Sequence, residues 1–226
     1  MPLSIARQSA EELGGQSSIL SRQRRDHAEL DRLMSLYKTP GLPVSERQDI
    51  LETIFHLTFS HAFAEETVLW PALRRLAPDG EKLTAQVEAE HQQISDLAVA
   101  IEATDPGDTR REQLVAAFFA LIRQDIRDEE DELLPRLQEA LGHDAARLRR
   151  LGSAWETVRR TAPTRPHPGV SRRPPGNALA GVPLSVLDRA RDSFVATPSR
   201  GRVLTAALMA AAAAACFVGV VLRRRR

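Results

Sequence analysis

Ser60 to Leu73 reads SHAFAEETVLWPAL, and Arg123 to Leu137 reads RQDIRDEEDELLPRL. Each stretch sets a polar side chain four residues ahead of a glutamate, His61 before Glu65 and Asp125 before Glu129, and both share the pattern EExxLxP. Residues at i and i+4 lie one turn apart on the same helix face. Both stretches therefore carry a polar pair on a stripe that is otherwise apolar.

The two stretches are copies of one unit. His27 to His91, His61 to Asp125, Glu65 to Glu129 and Pro71 to Pro135 are all separated by 64 residues. An offset kept at four places through intervening loops predicts two copies of one helical hairpin.

The surrounding pattern is helical throughout, and strand signals are nearly absent. A first helix over about 21–37 carries Leu20, His27, Leu30, Met34 and Tyr37 on one stripe, and TPGLP breaks it. A second starts near a Ser45 cap with Ile54, Leu57, His61, Glu65, Val68 and Ala72, and stops at APDG, Ala77 to Gly80. The third shows Val87, His91, Ile94, Ala98 and Ile101, and the fourth, after TDPGD, shows Leu114, Phe118, Leu121, Asp125 and Glu129. Gly142 sits where a helix end favours glycine. Four amphipathic helices with short connections predict an all-α, antiparallel, up-down-up-down four-helix bundle.

His27, His61, Glu65, His91, Asp125 and Glu129 then converge on the bundle interior. A lone histidine on an apolar face is more often a hydrogen-bonded core residue than a ligand, and Glu65 and Glu129 lie in charged neighbourhoods where a small helix rotation would make them solvated. Taken together, three buried carboxylates and three histidines exceed what mutual hydrogen bonds satisfy, and unpaired buried charge costs several kcal/mol. A pair of cations satisfies them all, as in bundle cores that build di-metal sites from inward Glu and His. His56 lies about 140° around the helix from His61, and His143 follows the helix stop, so neither joins the set. Trp70 and Trp155 read as packing residues. No nucleophile triad, phosphate loop or CxxC is present, so no catalytic residue is assigned.

On these residues the chain, over about 19–140, resembles the hemerythrin-like cation-binding (HHE) family. The resemblance implies a bundle enclosing a non-haem di-iron centre, with histidines as terminal ligands and carboxylates bridging, and oxygen binding, oxygen or redox sensing, or iron handling as its task. Asp125 stands where the family expects histidine. The harder, more anionic donor set favours ferric iron over reversible oxygen carriage, with manganese or zinc as other candidate metals. A metal-free or single-metal scaffold serving as an interaction module is the alternative, and a di-iron oxidase or peroxidase-like enzyme is a third.

The rest of the chain differs in charge. Residues 1–158 hold 18 Lys and Arg against 28 Asp and Glu, and residues 159–226 hold 13 Arg against two Asp. The N-terminal 1–18 read as flexible, 19–158 as the bundle with a closing helix over 144–160, and 159–181, rich in Pro and Arg, as an extended linker. Residues 182–200 form an amphipathic juxtamembrane segment, and 203–222 run twenty residues without a charge before four arginines, a length that suits a membrane span. Its eight alanines make it weakly hydrophobic. These features predict membrane lipids as partners of the tail and a bundle in the cytoplasm. No aromatic residues interleave the tail arginines, which argues against nucleic acid. The lone Cys216 excludes an internal disulfide, and the N-terminus lacks a secretory pattern.

Overall fold

The computed structural model of the chain describes residues 3–195. Within them the order is α1 (Ile19–Tyr37), α2 (Val44–Ala64), α3 (Trp70–Leu76), α4 (Gly80–Glu102), α5 (Thr109–Asp128), α6 (Leu134–Ala140), α7 (Ala145–Arg159) and α8 (Gly176–Val195), with no strand among the described residues. Helices α1 with α2 and α4 with α5 pack side by side through short turns, and α1 also meets α5. The expected 203–222 span lies outside the described residues. Among those described, no helix is long and apolar enough to cross a membrane.

Local chemistry explains the ends. Ser18 accepts the Ser21 N–H ahead of α1, Asp108 accepts from Arg110 ahead of α5, and Asp144 accepts from Ala146 and Arg147 ahead of α7; each satisfies an N–H that the first turn leaves free. Helix α2 departs from expectation. It begins at Val44, behind Pro43, and no side chain caps it. Gly142, just past α6, takes a φ of +66°, a conformation that favours glycine.

The second and fourth predicted helices each continue through a π-turn, Glu65–Leu69 and Glu129–Leu133, before α3 and α6. Proline supplies the reason. Pro71 and Pro135 have no N–H to give and their rings crowd the carbonyl four residues back, so the turn widens and Trp70 and Leu134 donate five residues back, to Glu65 and Glu129. Like the residues that cause them, the two π-turns are 64 positions apart.

Two apolar clusters fill the interior. One gathers Leu20, Leu69, Trp70, Leu133, Leu137 and Trp155; the other gathers Leu30, Ile54, Phe55, Ile94, Phe118 and Ile122. The histidines and carboxylates of the repeat form a polar belt between them. On α1, α2 and α4 the polar residue is flanked by core from both clusters, as His27 is by Leu20 and Leu30.

Both ends of the described chain differ from expectation. The N-terminal stretch read as flexible is seated on the bundle: Ile5 and Leu13 are fully buried, and Gln8 Nε2 donates to Gln138 Oε1 at 2.9 Å. The stretch read as an extended linker is largely non-helical, as its prolines require, yet it too lies against the bundle. Ala162 is fully buried, Arg165 Nη1 donates to Glu102 at 2.7 Å, and His167 Nε2 lies 3.0 Å from Asp188 Oδ1. Helix α8 starts at Gly176, earlier than the predicted amphipathic segment, and holds Pro183 within it. The physical reason is charge: the arginines of this stretch find carboxylates on the acidic bundle. Helix α7 packs against α1 and α2, with Leu148 and Trp155 buried.

Candidate metal centre

The π-turns deliver the two glutamates. Glu65 opens the first and Glu129 the second, with His61 and Asp125 one turn earlier on the same inward face. His27 enters from α1 and His91 from α4. All six predicted residues are buried, and the fold brings all six together.

His27 Nε2 lies 3.3 Å from His61 Nε2 and 3.2 Å from Glu129 Oε2, and His61 Nε2 lies 3.0 Å from Glu65 Oε1. Opposite them, His91 Nε2 is 3.7 Å from Glu65 Oε2, 3.6 Å from Asp125 Oδ1 and 3.7 Å from Glu129 Oε1. One donor atom each from His27, His61, Glu65 and Glu129 fall within 4.8 Å of one another, and so do those of His91, Asp125 and Glu129. Glu129 belongs to both groups. Glu65 turns one oxygen to His61 and the other to His91.

The outer nitrogens are also held. His27 Nδ1 lies 2.8 Å from Glu130 Oε1, His91 Nδ1 lies 2.9 Å from Glu66 Oε1, and His61 Nδ1 lies 3.4 Å from Asp26 Oδ2. A carboxylate on Nδ1 fixes the ring and leaves Nε2 to face inward as a donor to a metal. Trp155 packs edge-on to His61, with ring centroids 5.4 Å apart.

Among the described residues, Glu65 Oε1 and Oε2, Asp125 Oδ1 and Glu129 Oε1 are buried without a hydrogen bond. The 3.0 Å approach of His61 to Glu65 is close enough in distance but off the angle a hydrogen bond needs. Buried carboxylate oxygens left unbonded are costly, and two imidazole Nε2 atoms face each other beside them. Cations between these atoms remove both penalties, so the residues present fit a metal with oxygen and imidazole preferences, such as iron, manganese or zinc.

In the metal-free protein, protons settle the charge. Burial pulls His27 down, but its bonds to Glu129 and Glu130 outweigh that and raise it to about 10. Burial likewise opposes His61, which the charge of Glu65 and the bond to Asp26 lift to about 9. His91 is raised well above the imidazole range, burial being overcome by Asp125, Glu129 and Glu66. Burial and the charge of Glu129 push Asp125 well up and Glu65 up. Glu129 itself is held below the ordinary carboxylate range, because the nearby imidazoles of His27, His91 and His61 outweigh its burial. Two of the carboxylates thus resist ionisation while the histidines hold protons, a division that a bound cation reverses.

Residues 18–137, more than half of the chain, match the family model of the hemerythrin HHE cation binding domain. The chain belongs to that family. It is similar to an uncharacterized hemerythrin-like protein of Schizosaccharomyces pombe (strain 972 / ATCC 24843), 22% identical over 139 residues, which are 61% of this chain and 68% of that protein. No solved structure matches the chain significantly. Both donor groups fall inside the hemerythrin domain, which implies a metal-binding site, typically for iron.

Four residues around the hemerythrin site escaped the sequence reading. Glu66 and Glu130 follow the glutamates of the donor groups directly and looked like the start of a solvated face. The signal that finds them is the repeat itself, since they are also 64 apart and each reaches the histidine of the other copy. Asp26 precedes His27 and serves His61 instead. Arg172 lies outside the hemerythrin domain, and nothing in the sequence ties it to Glu66, 3.4 Å away. His56, His143 and His167 belong to neither donor group.

Proposed function

We propose that this hemerythrin-family bundle holds a non-haem di-iron centre, used for oxygen or redox sensing or for iron handling, and that the C-terminal segment tethers it to a membrane. The observation that carries the di-iron reading is Glu129, a buried carboxylate common to two donor groups, with Glu65 facing a histidine of each. Bound iron supplies a one-electron redox change and affinity for oxygen.

The chain's own residues set the terms of that chemistry. Glu65, Asp125 and Glu129 bring three carboxylates against three histidines, and oxygen donors favour the ferric state. A cavity of about 20 Å³ reaches His27, His61, His91 and Asp125 between the apolar walls of Phe59, Ile94 and Ile122. That is room for one water-sized molecule beside the donors. Sensing or iron handling, rather than reversible carriage, suits this donor set.

Helix α8 supports the tether. It buries Asn177, Ser185 and Asp188 and leaves Leu179, Val182 and Leu187 exposed, the arrangement of a helix whose outer face meets lipid. It leads towards the uncharged 203–222 stretch. A single-metal scaffold is the second reading, favoured by the second donor group, which has only one histidine.

Two experiments test this. Ferrous protein titrated with oxygen is expected to oxidise without giving the oxygen back; full, reversible loading would refute the sensing or iron-handling reading. Carbonate washing of cell membranes is expected to leave the chain in the pellet, and its release into the wash would remove the tether.

A further inference from the structure

The hemerythrin domain ends at residue 137, yet two arginines beyond it touch the carboxylates that hold the histidines. Arg159, at the end of α7, lies 3.1 Å from Asp26 Oδ2, the same oxygen that faces His61 Nδ1. Arg172 lies 3.4 Å from Glu66 Oε1, the same oxygen that faces His91 Nδ1. Arg172 Nη2 also donates to the His91 carbonyl at 3.3 Å, and its side chain lines the cavity at the donor groups. In both chains of contact one carboxylate oxygen sits between an imidazole that points at the centre and a guanidinium from the C-terminal segment.

We propose that Arg159 and Arg172 are positioning residues of the metal centre, so that metal occupancy and the seating of residues 160–190 on the bundle are coupled. This rests on the metal-centre reading above. An orienting carboxylate that is itself anchored holds its histidine more firmly, and loss of such outer partners weakens metal binding. Coupling of this kind is reciprocal: a segment that tightens metal binding is itself held more tightly when metal is bound.

The seat of the segment has its own anchors. Asn177 Nδ2 donates to Thr67 Oγ1 at 3.2 Å, on the π-turn that carries Glu65. Gly181 lies so close to the bundle that a Cβ there would stand 2.4 Å from Phe63 Cζ. A leucine at 181 therefore forces either α8 or the Phe63 ring to shift, and leaves Arg172 and Glu66 themselves unaltered. Because α8 also carries the exposed apolar face, the coupling ties the state of the centre to the presentation of the tether.

The test uses the full-length chain loaded with iron. Release to a chelator is timed for wild type, R172Q and G181L, with circular dichroism to check that the bundle keeps its helicity. Both variants are expected to lose iron roughly tenfold faster than wild type. Amide hydrogen exchange over residues 161–190 is expected to slow when wild type is loaded, and in R172Q loading should make no difference. Wild-type release rates in both variants, or exchange in wild type that does not respond to iron, would overturn the proposal. A wild-type chain that takes up no iron at all would overturn the metal-centre reading and this proposal with it, and elemental analysis of the starting protein tells that failure from a failure of coupling alone.

Discussion

His27 Nδ1 lies 2.8 Å from Glu130 Oε1, and 64 residues on from the first and back from the second, His91 Nδ1 lies 2.9 Å from Glu66 Oε1. Each half of the repeat therefore holds the histidine of the other half. The exchange makes the two hairpins one unit, because neither centres its own imidazole. Glu66→Gln and Glu130→Gln are expected to weaken metal binding by about tenfold each, measured by competition with a chelator. Affinities unchanged in both variants would show that the crossed pairs do not orient the rings.

Asp125 sets the electronic character of the second donor group. Asp125→His exchanges an anionic oxygen donor for a neutral nitrogen. The reduction potential of bound iron should rise, by on the order of 60 mV, which is one decade of ferric over ferrous preference in a one-electron couple. A potential at or below that of wild type, read by redox titration of the iron absorption, would contradict this.

Proton competition fixes the pH dependence. His27 and His61, at about 10 and about 9 in the metal-free protein, carry protons at pH 7 and must lose them to bind metal. Metal affinity should rise with pH from 6 to about 9, and loading near pH 7 in weak buffer should release protons. For the metal-free fold the sign is opposite. A histidine whose pKa is raised on folding stabilises below its unfolded value of 6.5 and loses that contribution as pH climbs through its folded value. Thermal melts of metal-free protein should therefore drop between pH 7 and pH 10.

Trp155 is fully buried and stands edge-on to His61. Trp155→Ala removes a large core side chain and is expected to cost about 3–5 kcal/mol, with faster loss of metal because His61 loses its backing. Calorimetry and chelator release measure the two effects, and a melting temperature within a degree of wild type would contradict the packing account.

The sequence made the bundle legible because its signals are local or periodic. The stripes on α1, α2, α4 and α5, the breaks at TPGLP and TDPGD, and the 64-residue offset predicted the helices and brought His27, His61, Glu65, His91, Asp125 and Glu129 to one belt. The π-turns are not legible, although their cause is in plain view: Pro71 and Pro135 stand out as features of the repeat before they stand out as residues that forbid a normal turn. Glu66 and Glu130 were passed over because on a regular helix a residue next to an inward one points about 100° away. The C-terminal arginines were out of reach for another reason. Arg172 meets Glu66 across more than a hundred residues of chain, and composition reads a stretch rich in Pro and Arg by its lack of apolar residues, without regard to the carboxylates it can meet.

In the proposed di-iron centre one buried carboxylate, Glu129, serves two metals. Elemental analysis of the full-length chain reconstituted with iron, run beside Asp125→Ala and Glu129→Ala, tests it most directly. Two irons per wild-type chain are expected, about one in Asp125→Ala, and less than one in Glu129→Ala. No more than one iron in wild type, or two retained in Glu129→Ala, would contradict it.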